Sequence, residues 1–380
     1  MKINSKLPEV GTTIFTTMSK MAADHNAINL SQGFPNFDID QGLIELVANY
    51  MKKGYNQYAP MQGLPVLRQN ISRKIKSLYD KDIDPDSEIT ISDGATEALF
   101  STISAIIEKD DEVIVFEPAY DSYVPAITLN GGIPVYVSLK VPDFSIDWDE
   151  VKAKISDKTK LIIINTPNNP TGAILSKEDM QILSDIVDGT DILIISDEVY
   201  EHIVFDGYKH ESILKYDTLK ERGVAIFSFG KTFHATGWKM GYSVAPDWLT
   251  AEIRKVHQYV TFSVNTPVQW AIADYLEDAT HYLGLGPFYQ KKRDLFLKLT
   301  NDSRLDPIVS RGTYFQLFSY KGISLEADME IAERITKDYG VASIPISVFY
   351  HNRTDHKYLR FCFAKKDETL ERAADILCRI

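Results

Sequence analysis

Cysteine is almost missing from this chain: Cys362 and Cys378 are the only two in 380 residues. Both lie near the carboxyl end and frame no disulfide pattern, so reduced thiols in a reducing compartment are expected. Long apolar runs are lacking as well. No stretch reaches the ~18 consecutive apolar residues of a membrane span, and the opening MKINSKLPEVGTT has no apolar signal-peptide core. A soluble, cytoplasmic protein without a membrane partner is the expectation. Basic charge is in deficit, with 41 Lys and Arg against 53 Asp and Glu, a net −12. That argues against a nucleic-acid partner. The eight histidines are scattered and neither HExxH nor CxxC occurs, so no metal site is expected. Repeats, low-complexity tracts and charged linkers are missing too.

What is present is ordinary globular material, 44% hydrophobic and 25% charged, long enough for two domains. The middle of the chain carries short apolar runs: EITIS (88–92), DEVIVFE (111–117), IPVYVSL (133–139), KLIIIN (160–165), DILIIS (191–196), VAIFSF (224–229) and YSVAP (242–246). Consecutive apolar residues suit strands covered on both faces. Amphipathic stretches such as 96–109 and 176–189 alternate with them, which predicts a mostly parallel α/β sheet. After residue 287 the pattern changes to a helix, two alternating strands (TYFQLF and KYLRFCFA) and a closing helix from Asp367, a smaller α+β unit.

Ligands of open α/β sheets gather at the carboxyl ends of strands, and the unusual residues stand there. KLIIIN runs into TPNNPTG, DILIIS into DEVY, VAIFSF into GKT, and EITIS into DGATEAL, a glycine turn opening a helix whose free amides suit a phosphate. GKT at 230–232 is no P-loop, because residue 225 is alanine where that motif needs glycine; GLGPFY at 284–289 fails the dinucleotide fingerprint at Tyr289. Lys231 sits in SFGKTFHATGWKMGY, too apolar for a solvated lysine. Scarce water lowers a lysine's affinity for its proton and makes it a candidate nucleophile. Taken singly, Asp197 reads as a helix cap, Asn169 as a turn residue, and Ser228, Tyr200 and Tyr120 as packing. Taken together they fit one cofactor, pyridoxal 5′-phosphate: an amine for its aldehyde, a carboxylate for its ring nitrogen, phenol and amide for its ring oxygen, an aromatic for its face, and amides, serine and lysine for its phosphate.

The order and spacing of NLSQGFPNFD (29–38), YNQYAPMQGLPVLR (55–68), SDGATEAL (92–99), EPAYDSY (117–123), NTPNNPTG (165–172), SDEVYEH (196–202), SFGKTFHATGWKMGY (228–242), HQYVTFSVNTPVQ (257–269) and LRFCFAK (359–365) resemble the fold-type-I, class I/II pyridoxal-phosphate aminotransferases. The resemblance runs from about Thr12 to the C-terminus and is strongest to methionine aminotransferases and the kynurenine aminotransferase/glutamine transaminase group. It implies an aspartate-aminotransferase-like fold: an N-terminal arm and part of the small domain over 1–45, a large domain with a mostly parallel seven-stranded sheet over 46–275, and a small α+β domain over 276–380. It implies that Lys231 carries the cofactor covalently, that Asp197 pairs with the pyridine nitrogen, and that Tyr200 and Asn169 bond the ring oxygen. Tyr120 would stack on the ring, and the 94–96 turn (Gly94, with the amides of Ala95 and Thr96), Ser228 and Lys239 would hold the phosphate. Tyr58 would reach that phosphate from a partner subunit, making a homodimer with composite sites. Arg360 would grip the substrate carboxylate, helped by Gly33 and Asn169, the guanidinium fork suiting a bidentate pair.

The substrates implied are amino acids and 2-oxo acids exchanged by a ping-pong mechanism. No arginine occurs before Arg68 to meet an acidic side chain. Ile14, Phe15, Phe34 and Phe262 offer apolar lining instead, which favours methionine or an aromatic donor. A carbon–sulfur β-lyase of the same fold is the alternative. A transcription regulator borrowing the fold is disfavoured, because the resemblance begins too early for a DNA-binding module ahead of it.

Overall fold

The computed structural model describes residues 3–380. Its strands, in chain order, are β1 (Ile28–Asn29), β2 (Ile89–Ser92), β3 (Glu112–Glu117), β4 (Ile133–Ser138), β5 (Thr159–Asn165), β6 (Leu193–Asp197), β7 (Gly223–Ser228), β8 (Gly241–Val244), β9 (Asp306–Ile308), β10 (Phe315–Ser319), β11 (Val341–Ala342), β12 (Ile344–Pro345) and β13 (Tyr358–Cys362). All seven runs singled out in the sequence are strands of one sheet, in the order β2-β8-β7-β6-β5-β3-β4. β8 alone is reversed, antiparallel to both β2 and β7. The remaining pairs are parallel. The central strands are solidly apolar because helices cover both faces. Ile162, Ile194 and Ile226 have no exposed surface, each contributing ~1.5–3 kcal/mol by leaving water.

The helix Gly94–Ile106 begins two residues after β2, and Lys177–Val187 is capped by Ser176, whose hydroxyl accepts from the Asp179 amide while Asp179 bonds back. Among the described residues, no helix is long and apolar enough to cross a membrane.

A second, four-stranded sheet runs β12-β13-β10-β9, all antiparallel. TYFQLF and KYLRFCFA, read as alternating strands, contain β10 and β13, and every residue of both strands is buried. One face meets the helix Leu285–Leu299, where Phe296 packs against Phe318 and Phe361 at 5.7 and 6.4 Å. The other face, carrying Arg360, is turned inward, since neighbours along a strand point to opposite sides. The N-terminal segment joins this part of the molecule, with β1 pairing to β11. A boundary at residue 46 would cut the helix Gln41–Lys52, which packs on Thr266–Tyr275.

Candidate active site

The carboxyl ends of β3, β5, β6 and β7 meet the start of helix Gly94–Ile106 around one cavity of about 200 Å³. Every cofactor-binding residue anticipated from the sequence lines it except Tyr58.

Its anion-binding end is built from backbone. Gly94 has φ +74°, and a Cβ there would lie 3.1 Å from Lys239 Nζ, so the turn requires glycine. Asp93, the N-cap, makes no side-chain capping bond, which leaves the leading amides for a ligand. Gly241 lets β8 pass directly beneath: a Cβ would stand 2.9 Å from the Ala95 nitrogen. Ser228 closes β7, and Lys239 brings its ammonium to the same wall.

Asp197, last residue of β6, is buried, and its Oδ2 accepts a 2.6 Å hydrogen bond from Tyr123. The Val199 amide reaches Oδ1 at 3.4 Å, and Asn165 Nδ2 donates to the Asp197 carbonyl at 2.8 Å. Burial pushes the Asp197 carboxyl up to about 6, against the Tyr123 hydrogen bond that holds it down. A cationic partner would keep it ionised.

Lys231 lies on the single helical turn Phe229–Thr232 that follows β7. Its Nζ donates to Tyr314 Oη at 3.0 Å and to the Gly33 carbonyl at 3.2 Å, while Tyr314 donates to the same carbonyl at 2.6 Å. Burial brings the lysine down to about 8, the charges of Arg360 and Lys239 push the same way, and Asp197 opposes them. No acid stands near Lys231 in sequence; the fold supplies one in Asp197. Burial holds the Tyr200 and Tyr314 phenols well above their usual range, so both remain protonated at neutral pH.

Arg360 is fully buried on β13. Its Nη1 donates to Asn169 Oδ1 at 2.7 Å and its Nη2 to the Ser31 carbonyl at 2.9 Å, whereas its buried Nε has no partner. The guanidinium lies 3.9 Å from the ring centre of Phe315, with Phe15 and Phe349 at 5.3 and 5.7 Å. Among the described residues no carboxylate pairs with it, and burial brings it down to about 10. A buried cation without an anion is costly, so this site is prepared for a ligand carboxylate.

Two expectations shift, those for Phe262 and Phe34. Gly33, whose amide the sequence offered as a substrate contact, receives Lys231 and Tyr314 on its carbonyl, and a Cβ there would lie 2.8 Å from Phe315 Cζ. Phe262 does not line the cavity: it is 51% exposed and meets Tyr58, itself 81% exposed, edge to face at 5.2 Å. Phe34 is exposed beside Lys365, in a different cleft. Phe15 is brought to the site, against Arg360.

The sequence reading missed Tyr123, Tyr314 and Asn165. Asn165 ends a strand, and Tyr123 is one turn on from Tyr120, signals that were available. Tyr314 had none, since its contacts with Lys231 and Gly33 span the whole chain.

The residues fit pyridoxal phosphate. The glycine-lined turn, free helix amides and Lys239 suit its phosphate, the buried Asp197, which forms no salt bridge among the described residues, suits a pyridinium, and the desolvated Lys231 amine suits its aldehyde.

Comparison with known proteins agrees. Residues 25–377 match the family model described as Aminotransferase class I and II. The methionine aminotransferase of Escherichia coli K12 is 51% identical over 98% of this chain and 97% of its own. A kynurenine–oxoglutarate transaminase of Dictyostelium discoideum is 36% identical over 100% and 96%. A solved Escherichia coli structure, described as having a methionine aminotransferase function, superposes over the full length of both chains with TM-score 0.98 at 50% identity.

Proposed function

This chain belongs to the class I and II aminotransferases, and on that premise we propose that it transfers the amino group of methionine, and less well of aromatic amino acids, to a 2-oxo acid with pyridoxal phosphate held by the residues described above. It is a transaminase of a pyridoxal-phosphate-dependent family.

Bound pyridoxal phosphate supplies an electron sink for negative charge developing at the substrate α-carbon. The chain's own groups do the rest. The Ala95 and Thr96 amides, Ser228 and Lys239 would hold the phosphate, and Tyr120 would pack on the ring. Asp197, positioned by Tyr123, would hold a proton on the ring nitrogen. Tyr200 and the Asn169 amide would bond the ring oxygen. Arg360 takes the substrate carboxylate on the guanidinium edge that Asn169 and Ser31 leave free, which fixes the α-carbon beside Lys231. Lys231 then removes the proton from that carbon. An amine with pKa about 8 is close to neutrality on both sides, as a general base requires. Tyr314 steers its free amine.

The observation that carries this reading is the buried Arg360, paired with no carboxylate among the described residues and bonded to Asn169 of the cavity wall, together with the buried Lys231 of lowered pKa in that wall. Methionine is favoured because the aromatic side chains of Phe15 and Phe349 flank Arg360. The exposed pair Tyr58 and Phe262, with Tyr259 at 87% exposure nearby, supports a homodimer in which these side chains complete the neighbour's site.

The test is a single half-reaction. Holoenzyme mixed with methionine and no acceptor should give one equivalent of the thioether 2-oxo acid per site, and addition of an oxo acid should restart turnover. Faster release of pyruvate from cystathionine without any acceptor would assign the site to carbon–sulfur cleavage.

A further inference from the structure

Beside the anion-binding end of the cavity, Glu97 and His257 form a buried pair. Glu97 lies in the first turn of the helix Gly94–Ile106, one residue beyond the amides assigned to the cofactor phosphate. Its Oε2 accepts from the Asp93 amide at 3.2 Å and its Oε1 from the Ser101 hydroxyl at 2.5 Å. The bond to Asp93 caps the turn, which the Asp93 side chain does not do. It also fixes a carboxylate, 9% exposed, within one helical turn of the phosphate amides. Like charges repel most strongly where water is scarce, so a bare Glu97 would work against a phosphate. The Asp93 carboxylate differs in being exposed, where water weakens its field.

His257 meets that charge. It stands in the last turn of the helix Asp247–Val260, is buried, and places Nδ1 3.0 Å from Glu97 Oε1. Its Nε2 lies 3.1 Å from the Met61 carbonyl. A carbonyl can only accept, so Nε2 carries a hydrogen, and Nδ1 and the carboxylate share a further proton between them. Whichever of the two holds it, the pair is neutral. Among the described residues Glu97 has no other ion pair. The Met61 bond is one of several that hold the 57–64 loop, which carries Tyr58. Ser263 donates to the Ala59 carbonyl at 2.9 Å, Thr266 to the Gln57 carbonyl at 2.6 Å, and Gln269 accepts from the Leu64 amide at 2.8 Å. Removing His257 leaves the loop those ties, whereas Glu97 loses its counter-charge.

We propose that His257 is a positioning residue for the cofactor phosphate: by sharing a proton with Glu97 it holds the first turn of the phosphate-binding helix and cancels the charge that would repel the ligand. This rests on the pyridoxal-phosphate reading above and deepens it, because it gives a pair of residues that the site does not include a part in selecting the phosphorylated cofactor. The competing role is structural, one helix end fastened to the start of another. A purely structural residue would affect every ligand of the cavity alike.

Pyridoxal phosphate and pyridoxal offer Lys231 the same aldehyde and differ in the phosphate, so the ratio of their Kd values isolates the effect. Both would be titrated by visible absorbance into the full-length, cofactor-depleted wild type, His257→Gln, Glu97→Gln and the double variant. His257→Gln should weaken pyridoxal phosphate about tenfold, equivalent to ~1.4 kcal/mol, and pyridoxal by less than about threefold. The double variant should recover most of that loss, because it removes the uncompensated charge. Glu97→Gln alone should leave both affinities within about threefold of wild type, since its amide can donate to Nδ1 of a neutral ring; this arm stands even if His257→Gln folds poorly. The proposal alone is overturned by an unchanged ratio in His257→Gln, by a loss that the double variant does not recover, or by pyridoxal phosphate binding about tenfold tighter to Glu97→Gln. A wild type that binds neither pyridoxal phosphate nor pyridoxal overturns the cofactor reading and this proposal with it.

Discussion

Replacing Arg360 with methionine should damage activity far more than stability, an unusual outcome for a residue with no exposed surface. In the cofactor-free protein the guanidinium is a burden. Burial brings its pKa down to about 10, and at ~1.36 kcal/mol per pH unit that amounts to roughly 3 kcal/mol against the folded state. Opposing this are the hydrogen bonds to Asn169 and Ser31, each ~1.5–3 kcal/mol when the donor is charged. The two contributions nearly cancel, so Arg360→Met should change unfolding free energy by less than ~2 kcal/mol, whereas truncating a buried aliphatic residue costs ~2–5 kcal/mol.

With substrate bound the balance reverses. A substrate carboxylate would lose the guanidinium proposed to pair with it, and breaking one partner of a buried pair costs ~3–5 kcal/mol, about 10²–10⁴ in kcat/KM. Stopped-flow half-reactions with methionine and with 3-(methylthio)propylamine, which lacks the carboxylate, measure this directly. The variant should lose most of its preference for methionine over the amine, while denaturant unfolding of the two proteins stays close. A variant within tenfold of wild type on methionine, or one unfolded at room temperature, would refute the reasoning.

Asp197→Asn should bind the cofactor yet lose about 10²–10³ in rate, the usual cost of removing a group aimed at developing charge; activity within a few-fold of wild type would remove that role. Lys231→Ala should abolish turnover and borohydride-trapped cofactor alike, and a trapped adduct on another lysine would contradict the assignment. Because the folded Lys231 holds its proton less tightly than the unfolded chain does, stability of the cofactor-free protein should rise with pH from about 8 toward the free lysine value. Unfolding of wild type against Lys231→Met across that window should show a steeper rise in the wild type, and parallel curves would contradict it. Mixing Lys231→Ala with an impaired Tyr58 variant should restore activity through hybrid dimers carrying one intact site, and full activity in a sedimenting monomer would exclude a composite site.

The residues of the site divide by how they came to be visible. Apolar runs determined the seven central strands, because a strand covered on both faces has no wet side to vary. The strand-end rule then brought out Lys231, Asp197, Asn169 and Ser228, and the glycine turn before Thr96 pointed to a phosphate, all from local pattern. β10 and β13 were read as alternating strands, and that they are buried on both faces was not legible, since alternation cannot tell water from a second layer of protein. Tyr58 and Phe262 were assigned by resemblance, and the isolated chain leaves both outside its own cavity.

What the sequence by itself determined is the fold class and the chemistry of the groups at the strand ends, because both follow from residues adjacent in the chain. Tertiary structure decided the electrostatics. Lys231 is an amine of lowered pKa because burial and the distant Arg360 act on it, and Arg360 is proposed as a carboxylate site because the fold gives it Asn169 and Ser31 and, among the described residues, no salt-bridged acid. Tyr314 was beyond reach for the same reason: its partners Lys231 and Gly33 are brought to it only by folding, and desolvation has no counterpart in the order of residues.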